Sequence, residues 1–499
     1  MASSASVKPY RHQERDISRI LKLISQHGSG YNALYQLPTG GGKTVIFCEL
    51  AKRYLEQFGR RVAILTHRIE LCAQTGRTLK NAGVESYLLT SDSLSPTSAC
   101  SCMVAMVETL KNRIRDKEID VTDVGLVIID EAHNNSFHKL LDNFPNAFIV
   151  GATATPLSSD GGKPMKDTYD ELIVGESIAA LVDANFLAKP KSVSIPVDLN
   201  GLAKGSNGDY TISSSDALYS LPAMQQTLFD AYKNNCVHKK TLIFNNGIAT
   251  SLKVHKLFED QGCDIRHLDN RTSEKEREEI LKWFKKTRGA ILTSVSILTT
   301  GFDEPSVQAL LLNRATTSMT LYHQMVGRGA RWLANKKTFT IVDLGNNIER
   351  FGNWNDFVDW QFVFDDPESF IAQLESRDEH TSPKTGITAD ARAQFANSAN
   401  VSFDIAKAFL ESGDSHKDAI KNSIRQHAAI CLENAESLSH ALKLAETLKP
   451  DIELRVKEYV KLLDNSTKSF KDWLTDDYVR RLDGLVKRFY GAKSEAFAD

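Results

Sequence analysis

Short apolar runs alternate with helical stretches from about residue 31 to residue 155. Each run is rich in Val, Ile, Leu or Ala and is bounded by polar or glycine-containing turns, which is typical of buried parallel strands. The helical stretches between the runs predict the crossovers of an α/β sheet. The predicted strands are Ala33–Leu37, Arg61–Thr66, Cys102–Val107, Val124–Ile129 and Ala147–Val150.

A second series of the same kind starts near residue 240. The segment 157–208 connects the two series and contains Gly-rich turn signals, so we expect a turn or flexible loop there. The pattern therefore predicts two α/β units of similar size in tandem. The predicted strands of the second unit are Thr241–Phe244, Asp264–Leu268, Gly289–Thr293, Ala309–Leu312 and Thr338–Val342.

The pattern changes after about residue 366. The stretch 376–400 is polar and is predicted to be irregular, and helical periodicity follows it to the end. We predict an α/β fold with two tandem parallel-sheet domains, 1–190 and 191–365, and an all-α C-terminal domain, 366–499. The predicted helices of the last domain are Phe403–Leu410, His416–Leu432, Leu438–Leu448, Ile452–Leu463 and Tyr478–Tyr490.

Composition narrows the class of protein. The 499 residues suggest about three domains, and no apolar run is long enough for a membrane span. The seven cysteines include no C-x-x-C pair, so we expect no zinc site and a reducing, cytoplasmic environment. With a net charge of -2, nucleic-acid binding would require a local groove. The helical domain could instead dock a protein partner.

A glycine-rich loop follows the first predicted strand and precedes a helical stretch. Such a loop wraps backbone N–H groups around phosphates, and the helix N-terminus adds partial positive charge. Lys43 would reach the β- and γ-phosphates of ATP, and Thr44 would bind Mg²⁺. The loop residues predicted to bind the nucleotide are Pro38, Thr39, Gly40, Gly41, Gly42, Lys43 and Thr44.

Two acidic residues end the fourth predicted strand, in the run Val127-Ile-Ile-Asp130-Glu131-Ala-His133. Ligands of open α/β sheets bind at the carboxyl ends of strands, so these carboxylates are expected beside the phosphate loop. Asp130 would hold Mg²⁺, mainly through water, and Glu131 would polarise the attacking water. His133 would either relay to the next motif or form a local hydrogen bond.

These two motifs resemble motifs I and II of the superfamily 2 helicases, in the Asp-Glu-Ala-His variant of the DEAD/DEAH-box group. Further motifs follow in the order of that family, over roughly residues 9 to 350. The resemblance implies two RecA-like domains and an ATP hydrolase stimulated by nucleic acid. The amino-acid sequences of several motifs are most similar to those of the DNA-repair branch, which includes RadD-like proteins and relatives of the type I restriction motor subunits.

The resemblance also implies roles for individual residues. Gln13 matches the glutamine that reads adenine, and Thr153 and Thr155 match the motif that couples hydrolysis to domain movement. From the second domain, Gly301 and Asp303 would contact the nucleotide. Catalytic groups from the second domain would be Gln324, Arg328 and Arg331. Contacts to nucleic acid would come from Thr66, His67, Arg68, Thr109 and Thr299.

Three functions remain open at this point. The first is an ATP-dependent helicase or translocase acting on DNA, and the second is an RNA helicase with the same motor. The third is an ATP-switched clamp or recruitment module that holds nucleic acid without unwinding it. The absence of a row of aromatic residues for base stacking predicts little sequence preference in the contacts of the motor with its strand.

Overall fold

The computed structural model describes residues 9–67, 69–91, 93, 100–134, 137–159, 162–295, 302–381, 385–413, 415–463 and 467–495. The first domain is a parallel seven-stranded sheet in the order β3-β4-β2-β5-β6-β1-β7. Its strands are β1 Asn32–Gln36, β2 Arg61–Thr66, β3 Tyr87–Leu89, β4 Cys102–Met106, β5 Val124–Asp130, β6 Phe148–Thr153 and β7 Glu171–Val174. Its helices are α1 Arg11–His27, α2 Lys43–Phe58, α3 Ile69–Asn81, α4 Val107–Arg115, α5 His138–Leu141 and α6 Ile178–Asp183.

The second domain is a parallel six-stranded sheet in the order β10-β11-β9-β12-β13-β8. Its strands are β8 Lys189–Ser194, β9 Thr241–Asn245, β10 Ile265–Leu268, β11 Ile291–Val295, β12 Ala309–Asn313 and β13 Thr338–Asp343. Its helices are α7 Ile212–Tyr219, α8 Pro222–Asn235, α9 Ile248–Asp260, α10 Glu274–Lys286, α11 Met319–Gly327 and α12 Asn347–Phe351.

The ten predicted strands are all present, and the structure adds β3, β7 and β8. The segment 157–208 is thus more ordered than expected, because it contains an edge strand of each sheet. β8 pairs with β13 over six residues and is exposed along most of its length. Its Pro190 fits an edge strand, where a missing N–H costs no ladder hydrogen bond.

The register of the first sheet brings the ends of three strands together. β6 lies between β5 and β1, with Asp130 opposite Ala152 and Gln36 opposite Thr153. The three loops that follow these strands therefore emerge side by side at the carboxyl edge, where parallel sheets bind ligands. Both sheets are buried on their two faces, and one apolar core cluster continues from the first domain into the second.

The C-terminal region is helical. Its helices are α13 Trp360–Asp365, α14 Pro367–Thr381, α15 Ala389–Ala393, α16 Ile405–Glu411, α17 Lys417–Asn434, α18 Leu438–Thr447, α19 Lys449–Lys461 and α20 Lys468–Glu495. The prediction that 376–400 is irregular was wrong for 376–381 and for α15. α14 continues to Thr381, and Thr388 caps α15 by accepting from Ala391 N.

A buried polar network holds the C-terminal helices together. Asp451 accepts hydrogen bonds from His427 Nε2 at 2.9 Å and from Thr385 Oγ1 at 2.8 Å, and Arg455 Nε lies 2.6 Å from it. His427 Nδ1 lies 2.9 Å from the hydroxyl of Tyr478. These contacts fit a neutral imidazole that donates to the carboxylate and accepts from the phenol. The network joins α17, α19 and α20 through side chains that solvent does not reach.

No helix among the described residues is long and apolar enough to cross a lipid bilayer.

Candidate active site at the interdomain cleft

The phosphate loop between β1 and α2 has a backbone that only glycine adopts easily. Gly40 and Gly42 have φ values of 92° and 89°, in the left-handed region. Gly42 immediately precedes α2, so the helix begins at Lys43 with its first N–H groups facing the loop. Lys43 Nζ donates to Leu37 O at 3.2 Å. Loop amides, a helix N-terminus and an ammonium group thus converge on one place, which is the arrangement that binds phosphate.

Gln13 of α1 contacts the back of this loop. Its Nε2 donates to Gly41 O at 3.4 Å, and its Oε1 accepts from Tyr10 N at 2.9 Å. A Cβ on Gly42 would lie 2.4 Å from Gln13 Nε2, so a larger residue there would displace the Gln13 amide, and the φ of 89° also favours glycine. Beside Gln13, the ring of Phe186 meets the ring of Tyr10 edge-on, with centroids 4.8 Å apart. This aromatic surface was not predicted from the sequence.

The acidic pair lies at the end of β5. Glu131 has a φ of 53°, a strained value for a residue other than glycine and one that is concentrated at functional sites. Burial raises the pKa of Asp130, and the neighbouring charge of Glu131 raises it further. Burial alone would also raise the pKa of Glu131, but the charges of Lys43 and Arg328 lower it below its usual value.

The second domain contributes directly to the environment of Glu131. Besides the charge of Arg328, a hydrogen bond from Gln324 of α11 lowers the pKa of the Glu131 carboxyl. Arg328 itself donates to Phe302 O. Arg331 Nε forms an ion pair with Asp303 Oδ1 at 3.0 Å. The ionisation of an acid in the first domain therefore depends on side chains that belong to the second.

A chain of hydrogen bonds leads from the acidic pair to the second domain. His133 Nδ1 lies 3.4 Å from Glu131 Oε2 and 3.1 Å from Thr153 Oγ1. Thr153 Oγ1 donates to Thr155 O at 2.8 Å, and Thr155 Oγ1 lies 2.7 Å from Thr320 Oγ1 of α11. Burial lowers the pKa of His133, so its ring is neutral near pH 7.

The two domains touch around a cavity of about 100 Å³. A Cβ on Gly327 would lie 2.5 Å from Thr39 Cγ2, so the end of α11 rests directly on the phosphate loop. Arg331 pairs with Leu187 as an isolated backbone bridge. The lining residues are Thr39, Gly40, Gly42, Lys43, Thr44, Leu71, Gln74, Asp130, Glu131, Asp303, Arg328 and Arg331.

Most of the predicted nucleotide-site residues are therefore close together, and several others were missed. Leu71 and Gln74 of α3 line the cavity, and Gly327 and Thr320 form contacts between the domains. Leu71 and Gln74 lie three residues apart on one helix face, which is the only local signal that could have found them. Gly301 lies outside the described residues.

Of the five predicted nucleic-acid contacts, the structure describes Thr66, His67 and Thr109. Thr66 is buried at the end of β2, and Thr109 is half-buried on α4. The ring of His67 packs against Phe137 with centroids 4.4 Å apart. Arg68 and Thr299 lie outside the described residues.

The donor set near the phosphate loop fits a magnesium ion. Within the described part of the chain, no group of three or more His, Cys, Asp or Glu side chains is arranged to hold a metal. Mg²⁺ does not need such a group, because it is held by one or two carboxylates together with waters and substrate phosphates. The Thr44 hydroxyl and the Asp130 carboxylate, both at the cavity, meet that requirement.

Comparison with known proteins agrees with this geometry. Residues 6–158 match the family described as type III restriction enzyme, res subunit, and residues 223–333 match the helicase conserved C-terminal domain. The first match contains the phosphate loop and the acidic pair, and the second contains the motif arginines. The two matches together span both halves of a helicase core, in agreement with the resemblance of the motifs to superfamily 2 helicases.

The helicase core has curated and structural relatives. It is 30% identical over 329 residues to the Saccharomyces cerevisiae protein named ATP-dependent helicase IRC3, covering 62% of this chain and 47% of that protein. A fragment of an HsdR subunit of a type I restriction enzyme from Vibrio vulnificus YJ016 has a TM-score of 0.57 at 22% identity. It is matched over 68% of its length and covers 71% of this chain.

A third relative extends beyond the helicase core. The ATP-dependent type ISP restriction-modification enzyme LlaBIII, in a structure bound to DNA, has a TM-score of 0.52 at 16% identity. The match covers 94% of this chain and 37% of that enzyme. At such identities the likeness concerns the fold alone. The chain spans about half the length of its yeast relative.

Proposed function

We propose that the chain is an ATP-driven motor that translocates along nucleic acid or separates its strands, with DNA favoured over RNA. The observation that carries the proposal is the dependence of Glu131 on both domains. Gln324 and Arg328 stabilise its carboxylate from the second domain, while Lys43 does so from the first. A site assembled from two domains hydrolyses ATP only when they are closed, so whatever biases closure also controls hydrolysis.

The chemistry follows from positioning and charge. Glu131 would accept a hydrogen bond from the attacking water, and Lys43 and the loop amides would neutralise the phosphate oxygens. Arg328 and Arg331 would stabilise the charge that develops as the terminal phosphoryl group is transferred to water. A magnesium ion held by Thr44 and Asp130 would supply further positive charge to the phosphates. Gln13, with Tyr10 and Phe186 beside it, would receive the adenine.

The hydrogen-bond chain from Glu131 supports coupling between hydrolysis and domain movement. It ends at Thr320, on the same helix that carries Gln324 and precedes Arg328. Loss of the terminal phosphate would change the charge next to Glu131 and His133 at one end of this chain. The relative position of the two domains would change at the other end.

The preference for DNA is supported by relatives. The HsdR fragment belongs to a type I restriction enzyme, and the LlaBIII structure contains DNA. The likeness to LlaBIII covers 94% of this chain, so we expect the chain to act on the same polymer.

We also propose three functional units, 1–190, 191–365 and 366–499. The two separate sheets and the separate core of the last helices support three units. Because β8 begins at Lys189 and belongs to the second sheet, and Leu374 of α14 belongs to the core shared by the sheets, both boundaries shift by some residues from these bounds. The helical unit could dock a protein partner. Its exposed apolar side chains support that role: Leu410, Trp473 and Phe489.

The deciding experiment measures ATP hydrolysis by the full chain with single-stranded DNA, with single-stranded RNA and without nucleic acid. We expect the largest stimulation with DNA and no hydrolysis in Lys43→Ala. Equal stimulation by both polymers would remove the preference for DNA. A strand-displacement assay on the same samples separates a helicase from a clamp, because a clamp consumes ATP without releasing a strand.

A further inference from the structure

A second cavity, of about 570 Å³, lies in the second domain. It opens at the amino ends of β9, β11, β12 and β13, where Lys240, Gly289, Gln308 and Lys336 precede the strands. None of its lining residues lines the interdomain cavity. Ligand sites of parallel sheets ordinarily lie at the carboxyl ends of strands, so this cavity is not an extension of the nucleotide site.

The lining of this cavity is strongly basic. It includes five positively charged side chains and no carboxylate, and it contains one apolar side chain, Leu333. Within the described part of the chain, none of the five cations forms an ion pair with a carboxylate. A concave surface with charge of one sign concentrates ligands of the other sign. The five cations are Lys240, Lys285, Lys286, Arg288 and Lys336.

Two of these lysines distinguish the cavity from an ordinary basic surface, because each is only 5% exposed. Lys240 Nζ donates to Lys285 O at 2.9 Å, and Lys336 Nζ donates to Pro305 O at 2.7 Å. Each ammonium group is thus held by a neutral carbonyl. Burying an ammonium group without a counter-charge is costly, and a bound anion would offset that cost.

The acids near the two lysines compensate for burial only in part, since the pKa of each lysine is still lowered overall. The charge of Glu304 raises the pKa of both lysines, but its Oε1 already accepts hydrogen bonds from the backbone N–H and the hydroxyl of Ser306. Burial, together with the charge of Arg331, lowers the pKa of Lys336 to about 7. Burial also lowers the pKa of Lys240.

We propose that this cavity is a second anion site, separate from the ATP cleft, which binds a small polyphosphate. The two buried ammonium groups would contact the inner phosphates, and Lys285, Lys286 and Arg288, which are exposed, would contact the outer ones. The volume is within the roughly 300–1,000 Å³ of small-molecule sites. Hydroxyl and amide groups of the lining supply further donors for several oxygens: Thr287, Ser306, Gln308 and Asn335.

The depth of the lysines favours a compact anion over the backbone of a nucleic-acid strand. A strand reads a protein surface through exposed Lys and Arg side chains. Lys240 and Lys336 line the cavity but are little exposed. A strand lying across the opening would therefore contact the rim alone, whereas a small anion inside the cavity can approach the two lysines.

Residues of this cavity are close in sequence to residues of the ATP cleft. Lys336 closes a tight turn with Leu333, since each backbone N–H donates to the carbonyl of the other, at 2.8 and 3.2 Å. Arg331 precedes this turn, and Pro305, the acceptor of Lys336, follows Asp303. An anion on Lys336 would therefore bind a residue that is close along the chain to Arg331, the partner of Asp303 in the ATP cleft.

Tripolyphosphate is the probe for the test, and the full chain carrying Lys43→Ala is the background, because this change weakens phosphate binding in the ATP cleft. Binding is measured by titration calorimetry at fixed ionic strength. Adding Lys285→Gln and Lys286→Gln should weaken binding about tenfold, equivalent to about 1.4 kcal/mol. The matched control, Lys253→Gln with Lys256→Gln, removes two exposed lysines of α9 outside the cavity and should leave affinity unchanged.

Equal affinity in the three proteins, or no binding of tripolyphosphate to the Lys43→Ala background, would overturn the proposal. A single-stranded oligonucleotide is titrated in parallel and should bind the rim variant and the control alike. If the rim variant loses affinity for the oligonucleotide while its affinity for tripolyphosphate stays the same, the cavity is part of a nucleic-acid track and the proposal is wrong.

Discussion

The interdomain cleft and the C-terminal helices both bury charged side chains, but they stabilise them in opposite ways. In the helical domain, Asp451 is surrounded by Thr385, His427 and Arg455, and its own chain segment supplies every partner. In the cleft, Glu131 has a strained backbone and depends on groups from another domain. The first arrangement fixes one structure, whereas the second is complete only in one relative position of the domains.

The difference shows that buried charges can either stabilise the folded state or destabilise it in favour of chemistry. A paired buried charge stabilises the fold only while its partners remain, and removal of one partner leaves an uncompensated charge. A buried carboxylate next to another carboxylate destabilises the fold and is retained for its chemistry. Substitutions in the two regions should therefore separate stability from activity.

The largest effect is expected from Arg328→Ala. Loss of an arginine that stabilises the transferred phosphoryl group should lower kcat by about 10³–10⁵-fold. Affinity for ATP should change little, because this arginine acts mainly on the transition state. Single-turnover hydrolysis and a separate nucleotide-binding titration check the two statements. A parallel loss of affinity would show that Arg328 binds the ground state instead.

Glu131→Gln should lower kcat by about 10²–10⁴-fold, the range for a group that activates a nucleophile. ATP binding should persist, and the thermal midpoint should stay constant or rise, because the amide removes repulsion from Asp130. Hydrolysis kinetics and thermal unfolding of the same preparation test this. An unchanged turnover rate would refute the role given to Glu131. A large drop in stability would contradict the view that the buried charges of the cleft serve chemistry and not stability.

Asp451→Ala should have the opposite effect to Glu131→Gln, with a loss of stability and unchanged activity. Removing this carboxylate leaves Arg455 buried without its counter-charge, which should cost about 3–5 kcal/mol of unfolding free energy. Hydrogen exchange of the amides in α17 and α19 reports this loss locally, whereas ATP hydrolysis without nucleic acid should be unchanged in the folded protein. Unchanged exchange in these helices would mean that the network contributes little.

The helical domain should also respond to pH through His427. Burial, followed by the charge of Arg455, lowers the pKa of His427 to about 4, so the folded state holds the ring neutral. The unfolded chain takes up a proton near pH 6.5, and stability is therefore lost as pH falls from about 6.5 towards about 4. Denaturant unfolding at several pH values tests this, and His427→Gln should have a weaker pH dependence than the wild type.

The smallest effect is expected from Thr155→Val. It removes the hydroxyl contact with Thr320, which should cost about 0.5–1.5 kcal/mol, or roughly a twofold to tenfold loss of nucleic-acid-stimulated hydrolysis. Basal hydrolysis should fall less, because the contact lies outside the group of residues around the phosphates. Equal losses in basal and stimulated rates would place Thr155 in catalysis instead of coupling.

The strands that carry the motifs could be predicted from the sequence, because parallel strands buried on both faces consist of continuous apolar runs. The hydrophobic pattern missed β8, in which Lys-Pro-Lys-Ser-Val-Ser has no apolar run, since the strand is held by its pairing with β13 and not by burial. It also predicted the start of α20 about ten residues too late. The exposed face of that helix obscures the periodicity of its first turns.

In the cleft, motifs identified the residues that touch phosphate, but not those that join the domains. The contact of Thr39 with Gly327 links residues almost three hundred positions apart, and no local pattern encodes such a pair. The aromatic surface beside Gln13 was missed for the same reason, since Phe186 comes from the connection between the domains. Sequence motifs therefore identify the residues that act on ATP, whereas the contacts that join the two domains are visible only in the tertiary structure.

The contact of Thr39 with Gly327 has a consequence for the speed of the cycle. The cavity behind this contact is about 100 Å³, well below the roughly 300–1,000 Å³ of sites that hold small molecules. An ATP molecule therefore fits only when the domains stand further apart than in this structure, and such domain movements belong to the microsecond-to-millisecond range. We expect the steady-state rate to be set by this opening and the release of ADP, with bond cleavage a faster step that precedes it.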